Sequence, residues 1–431
     1  MSPGWIAAIL VFLVTYGLIF SERVHRTIAG LAGGVAMISV GIGLGFYDFD
    51  LAVKAVDFNT IGLLLGMMII VGILQPTGFF QYAAIKLAQL TGGRGPLLFL
   101  FLAGFTTLVS TVLDNVTTVV VIAPVTVSIA EVLGVSPVPL LLAEAVLSDV
   151  GGVATLVGDP PNILIGSASG LSFNQFLAHL GPVVLTVLFF SFLLSLWLFR
   201  GQLVVPEERL EFLRSLDPRR ALEDPRTMHR VLWVLALTVG LYFVHDLLGL
   251  PPGLVALIGA SVGLLWIRPP LDRVMGFIHW DVLLFFIGLF VVVGGLESAG
   301  VLGAISRGLA GVAGRGVLPA ALLILWVSAF MSAVVDNIPF TIAMIPVIKG
   351  LEVHGIPVEP LWWALAMGVG FGGNATPIGS TANVVVVSVS ERTREPITFR
   401  RWFASATWIS LLSCIIGSLF LILGISTGWY L

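Results

Sequence analysis

The chain has 431 residues, of which 58% are hydrophobic and 10% charged, and its net charge is −3. Soluble domains carry roughly 25% charged residues, so this composition excludes an ordinary soluble domain. It also excludes a nucleic-acid surface, because no basic stripe exists outside the loops. One cysteine, Cys414, and six scattered histidines leave no internal disulfide and no thiolate or histidine metal cluster.

In chain order, the first apolar run is Gly4–Phe20. It has no basic leader and no small-residue cleavage site, and Glu22-Arg23-Val24-His25-Arg26 follows it, so it reads as a retained first helix. Thr27–Phe46 and Asn59–Leu74 are further runs near the length of about 20 residues that spans a bilayer. Next comes a long apolar segment, 96–133, with Asp114-Asn115 in its middle. No loop there is long enough to reach water, so the expectation is a re-entrant helical hairpin. Residues 138–168, interrupted by Gly151-Gly152 and Pro160-Pro161, read as a broken helix, and Val183–Phe199 as a last helix. Residues 200–229 are charged and Pro-containing, and read as a linker with a short interfacial helix.

The same order then repeats. Leu113-Asp114-Asn115 returns as Val335-Asp336-Asn337, 222 residues later, and Pro124 returns as Pro346. Past that point the spacing is 221: Gly151-Gly152 with Thr155, Gly158 and Asn162 returns as Gly372-Gly373 with Thr376, Gly379 and Asn383. Residues 230–431 form the second repeat, with a hairpin at 317–349 and a broken helix at 360–390. The fold class expected is an all-α polytopic membrane protein of two inverted-topology repeats, each of five transmembrane helices plus one re-entrant hairpin. Five crossings per repeat send the second half in upside down. With residues 200–229 in the cytoplasm, 17 of the 21 basic residues fall in inside loops, leaving Lys54, Arg307, Arg315 and Lys349 outside. That satisfies the positive-inside rule and puts both termini outside.

Polar patches inside apolar runs are costly unless they line a site. At the hairpin tips the candidates are Asp114, Asn115, Thr117 and Thr118, and Asp336, Asn337 and Thr341. Asp and Asn also cap helices, but the pair repeats, and a carboxylate at membrane depth needs a reason. At the broken helices the candidates are Gly151, Gly152, Thr155, Gly158, Asp159 and Asn162, and Gly373, Asn374, Thr376, Gly379, Ser380 and Asn383. Carbonyls freed by a break coordinate cations, and half-helix N-termini favour anions or polarised oxygens. The apolar segments hold no Lys or Arg but do hold Asp114, Asp336, Asp159, Asp149 and Glu144, the candidate proton carriers. An acidic, Arg-free interior suits a proton or cation as coupling ion and a small neutral oxyacid as cargo.

The stretches LDNVTTVVVIAPVTVSIAEVLGVSPVPLLLAEAVLSDVGGVATLVGDPPN, VVDNIPFTIAMIPVIKGL and LWWALAMGVGFGGNATPIGSTANVVV resemble the ion transporter superfamily. Within it they are similar to the group of arsenite permeases, NhaD sodium/proton antiporters, silicon effluxers and the melanosomal P protein, and most of all to its P-protein branch. The sodium-coupled dicarboxylate symporters are a more distant likeness, with Ser-Asn-Thr where this chain has Asp114-Asn115 and Asp336-Asn337. The resemblance implies a homodimer with a scaffold and a moving transport part, working as an elevator. It also implies Na⁺ sites at Asp114, Asn115, Gly151 and Thr155, and at Asp336, Asn337, Gly373 and Thr376.

The function expected is secondary active transport of a small inorganic ion or oxyacid, of the arsenite or silicate type, coupled to H⁺ or Na⁺. The alternatives are a Na⁺/H⁺ antiporter, a Na⁺-coupled dicarboxylate or citrate transporter, and an anion channel. An enzyme is not expected: the motifs of intramembrane aspartyl proteases are missing around Asp159 and Pro319. No Gly-x-x-x-x-Gly-Lys-Ser/Thr loop is present, so ATP-driven pumping by this chain alone is not expected; a partner ATPase stays open but is not indicated. No cofactor beyond the coupling ion is expected. The partners expected are the lipid bilayer, a second copy and the solute, in a bacterial inner membrane.

Overall fold

A computed structural model describes residues 2–21, 23–203, 205–313, 316–353 and 355–430. Arg315, counted above with the outer loops, lies outside them. The first half contains α1 (Pro3–Ser21), α2 (Arg26–Leu44), α3 (Phe49–Ala55), α4 (Phe58–Leu74), α5 (Phe79–Leu90), α6 (Gly95–Ser110), α7 (Asn115–Leu133), α8 (Val138–Gly152), α9 (Pro160–Ser169) and α10 (Phe173–Phe199). The linking segment carries α11 (Glu207–Ser215). The second half contains α12 (Pro225–Val244), α13 (Pro252–Ile267), α14 (Leu271–Gly276), α15 (Trp280–Ser298), α16 (Val301–Ala313), α17 (Val317–Val334), α18 (Asn337–Glu352), α19 (Glu359–Gly372), α20 (Thr381–Glu391), α21 (Phe399–Phe403) and α22 (Ala406–Thr427). Among the described residues there is no strand, and eight helices are long and apolar enough to cross a membrane.

Local chemistry sets the ends of these helices. Asp114 caps α7 by accepting the Thr117 N–H at 2.9 Å, and Gly134 closes that helix at φ 68°. Ser172 and Gln175 cap α10 reciprocally. Five short helices lie outside the expected set, two related pairs and α21. α3 and α14 each precede a long helix, and α5 and α16 each follow one. None reaches the length of a span, so a search for long apolar runs passes over them.

The packing is crosswise. α2 lies along α15 and α4 along α13, while α7 lies on α20 and α18 on α9. Small residues set the first two crossings: a Cβ on Gly288 would stand 2.5 Å from the Gly30 carbonyl oxygen, and one on Gly66 2.5 Å from the Ala256 carbonyl carbon. Each half thus completes its packing on the other. The contacts sort the helices into two groups, α1–α4 with α12–α15, and α6–α10 with α17–α20 and α22, which meet where α4 touches α9, α15 touches α18 and α10 touches α12.

Candidate functional site

Between α8 and α9, residues 153–159 leave the helix; between α19 and α20 the chain makes one turn, Gly373–Ala375, and then residues 376–380 run free. Backbone groups released inside a membrane need partners. Asn162 Nδ2 supplies them in the first break, donating to the carbonyls of Gly152, Val153 and Thr155 at 3.2, 3.0 and 2.9 Å. Asn383 does the same for Gly373 and Thr376, at 3.1 and 3.2 Å. Part of the carbonyl capacity expected to hold a cation is therefore used within the break. Thr155 Oγ1 donates to the Thr111 carbonyl at 2.6 Å, and Thr376 Oγ1 to the Ala333 carbonyl at 2.5 Å. Ser110 and Ser332 donate to the carbonyls of Ser148 and Val369. Except for the Asn162–Val153 bond, each of these bonds has its twin at the sequence spacing of 222 or 221.

Gly158 and Gly379 let each break lie against the backbone of the neighbouring hairpin arm. A Cβ at Gly158 would sit 2.5 Å from the Ser110 carbonyl oxygen, and one at Gly379 2.6 Å from that of Ser332. The Gly158 carbonyl accepts the Asn115 N–H at 3.2 Å, which seats the tip of α7 on the break. Gly151 packs on Thr107, and Gly152 on Gly158 as Gly373 does on Gly379. Asn374 reaches across the halves, its Nδ2 donating to the Val146 carbonyl at 3.1 Å.

The carboxylates gather around the first tip. Asn115 Nδ2 donates to Asp149 Oδ1 at 2.8 Å and to Asp159 Oδ1 at 3.2 Å. Asp159 Oδ2 and the Oδ1 atoms of Asn162, Asn374 and Asn383 are buried without a hydrogen-bond partner. The hydroxyls of Thr117 and Thr118 are likewise buried and unpartnered. Glu144 stands apart: its Oε1 accepts from Thr126 Oγ1 at 2.5 Å, within the packing of α7 on α8. Thr341 bonds back to the Asn337 carbonyl of its own helix at 2.7 Å, and Ser380 caps α20.

The expectation of an Arg-free interior is overturned at the second tip. Arg26, assigned to a loop by its position before an apolar run, is the first residue of α2, and its Nη1 lies 3.0 Å from Asp336 Oδ2. Thr381 Oγ1 donates to the same oxygen at 2.8 Å, and Arg26 Nη1 donates to Thr381 Oγ1 at 2.8 Å. The guanidinium also stands 5.6 Å over the Phe285 ring. The sequence reading missed both Arg26 and Thr381. Thr381 had a signal, since it lies inside Gly379–Asn383 where the first repeat has Pro160; Arg26 had none.

Arg26, Asp114, Pro160, His279 and Thr381 border one small closed pocket. A wider cleft lies on either side of it. One, of about 390 Å³, is lined by Lys54, Asp57, Ser167, Glu297 and Lys349. The other, of about 230 Å³, is lined by Gln75, Thr117, Val121, Gly276 and His279. These clefts are repeat-related: Asp57 corresponds to His279, and Gln75 to Glu297, at a spacing of 222.

The family model described as citrate transporter, CitMHS, matches residues 16–368. A 46 kDa membrane protein of Mycobacterium leprae is 39% identical over 96% of this chain and 98% of its own length. An uncharacterized transporter of Mycobacterium tuberculosis is 38% identical over 96% of this chain and 97% of its own. The P protein of Mus musculus is 30% identical over 98% of this chain, which spans 61% of that protein. Among solved structures, the YdaH transporter of Alcanivorax borkumensis aligns over 94% of this chain and 99% of its own, with a TM-score of 0.58 and 18% identity, a likeness of fold.

Proposed function

The chain belongs to the citrate transporter family, CitMHS, an integral membrane transporter family, and from that membership we propose that it is a secondary active carrier of the arsenite-permease and NhaD kind, moving a small inorganic ion or oxyacid coupled to H⁺ or Na⁺. The observation that carries the reading is the single pocket bordered by Asp114 and by the Arg26–Thr381 pair bonded to Asp336, with both broken helices behind it. Two inverted repeats account for the twinned bonds and the crosswise helices. The α6–α10, α17–α20 and α22 group is the moving part of an elevator, and the α1–α4 and α12–α15 group its scaffold. Each copy of a homodimer works so in a bacterial inner membrane, with residues 200–229 in the cytoplasm and both termini outside. The protein carries its cargo without chemistry on it.

Charge favours a neutral oxyacid over citrate as cargo. A tricarboxylate would face Asp114, Asp149 and Asp159, and Arg26, the arginine on the pocket, is already paired. A neutral oxyacid, held by hydroxyls and amides, meets no such cost. A second reading, Na⁺/H⁺ antiport, draws support from the two carboxylates bridged by Asn115 and the unpartnered oxygen of Asp159.

The test is uptake into proteoliposomes under imposed pH or Na⁺ gradients, with arsenite, silicate, Na⁺, dicarboxylates and citrate offered in turn. Gradient-driven accumulation of arsenite or silicate is the expected result, and electroneutral or electrogenic Na⁺ exchange alone selects the second reading. Accumulation of citrate or a dicarboxylate alone, or currents far above carrier turnover, overturns both.

A further inference from the structure

The two tips are twins in sequence and unlike in charge. Exchange of the halves carries Asp114 onto Asp336 and Pro160 onto Thr381. The helix crossings carry Gly30 onto Ala256, because Gly30 meets Gly288 as Ala256 meets Gly66. On that alignment α2 and α13 start together, and Arg26 falls on Pro252. So the second tip holds a carboxylate, a guanidinium and a hydroxyl in mutual contact, and the alignment gives the first tip prolines, Pro252 and Pro160, in place of the guanidinium and the hydroxyl. The charged and titratable groups around the closed pocket are Arg26 from α2, Asp114 before α7, His279 before α15 and Asp336 before α18. Asp149 and Asp159 stand behind Asn115.

From this asymmetry we infer that Arg26 is a tethered cation that fills the second half-site in the conformation described, so that Asp114, and not Asp336, is the tip that takes up the coupling cation there. An ionised carboxylate at membrane depth is costly without a positive partner. Asp336 has one built into the chain, at 3.0 Å and further fixed by Thr381. Asp114 borders the same pocket as Arg26 but makes no ion pair among the described residues; it accepts the Thr117 N–H, and takes its counter-charge from solution, as Na⁺ or H⁺. Thr381 is part of the device: its hydroxyl accepts from Arg26 and donates to Asp336, which fixes the guanidinium at one oxygen. The inference rests on the transporter reading and specifies the cation use of its site: one exchangeable cation for the pair of tips rather than two.

The test counts cations on the purified full-length protein, so it does not depend on knowing the cargo. Equilibrium binding of radioactive Na⁺ counts the sodium form, and the infrared carbonyl band of protonated carboxyls counts the proton form. Arg26→Gln leaves Asp336 without its partner and is expected to gain about one cation equivalent per chain in one of the two counts. Arg26→Lys, which keeps the charge, retains the wild-type count. The neutral pair Arg26→Gln with Asp336→Asn removes both charges and also retains it. Asp114→Asn loses about one equivalent. A loss in the neutral pair, or no gain in folded Arg26→Gln, overturns the inference. Should Arg26→Gln not fold, the neutral pair decides alone, since a lost cation there means that Asp336 had held one. Failure of every cargo in the uptake assay bears instead on the transporter reading.

Discussion

Asn162 and Asn383 show how one side chain makes a break in a membrane helix tolerable. Each spends its two amide hydrogens on carbonyls that the unwound backbone has released. Alanine at either position leaves those oxygens facing a dry interior. Asn162→Ala and Asn383→Ala are each expected to cost about 1–2 kcal/mol, read as a lower unfolding midpoint of the detergent-solubilised protein. If both melt as the wild type does, the amides do not hold the breaks. Asp114 is a different case, because its neighbours ask for little: Asp114→Asn keeps the capping oxygen that accepts the Thr117 N–H. Stability close to wild type with loss of gradient-driven uptake is the expected combination, and retained uptake would remove Asp114 from the coupling role. At this scale the sequence was a good guide where polar residues interrupt apolar runs, as at Asp114-Asn115 and Asn162. It was a poor one for Arg26, because a cation that borders an apolar run looks the same whether it points to water or turns inward to Asp336.

A helix that breaks must still be held at a fixed distance from its neighbours, and at α8–α9 and α19–α20 the spacing is set by Gly158 and Gly379. The carbonyl oxygens of Ser110 and Ser332 stand where a methyl group would go, at 2.5 and 2.6 Å. Since those oxygens belong to backbone, the strain cannot be relieved by a rotamer change. Gly158→Ala and Gly379→Ala are each expected to destabilise by about 1–3 kcal/mol and to lower uptake by more than the loss of folded protein explains. Uptake that merely tracks the folded fraction would make these glycines packing residues only. Another element end answers to pH. The Asp224 carboxylate caps α12 at the edge of the linker, accepting the N–H groups of Thr227 and Arg226 at 3.0 and 3.1 Å. These bonds, that of Thr227 foremost, hold its pKa below the usual aspartate value. A depressed folded pKa stabilises above the unfolded value, and that stability goes as pH falls through the folded one. Asp224→Ala is therefore expected to lower the melting midpoint at neutral pH, by an amount that solvent screening keeps small, and the gap to wild type should close in acid. A gap that persists in acid would mean that packing, not the cap, is at stake. The long elements and both breaks were legible because runs of apolar residues and Gly-Pro interruptions mark them. α3, α5, α14, α16 and α21 were not, since short helices lying between spans carry no length signal.

Across the whole molecule, the proposed elevator makes a mechanical claim about the seam between the two helix groups. The ties that cross it are few and polar: the Tyr16 hydroxyl donates to the Pro339 carbonyl at 2.8 Å, the Phe173 N–H donates to His245 Nε2 at 3.2 Å, Asn174 Nδ2 donates to the Phe243 carbonyl at 2.8 Å, and Arg26 bonds Asp336 and Thr381. Near the larger cleft, Asn59 at the start of α4 donates to Ser167 of α9 at 3.2 Å. Few directional bonds to break, set between apolar surfaces, is what a sliding interface needs; a rigid bundle would have no use for keeping its two clefts on opposite sides of one closed pocket. The side chains of Asn59 and Ser167 touch at 3.2 Å, so cysteines placed there face each other across the seam, and the natural Cys414 is buried, so the engineered pair is the one open to oxidation. With Asn59→Cys and Ser167→Cys oxidised, the two groups are pinned at one point of the seam, and uptake is expected to fall to background and to return on reduction. The reduced pair must transport for the comparison to count, and each single cysteine should be indifferent to oxidant. Full uptake by completely bridged protein would mean that α9 does not travel past α4, and the moving part would have to be sought in the hairpin tips alone.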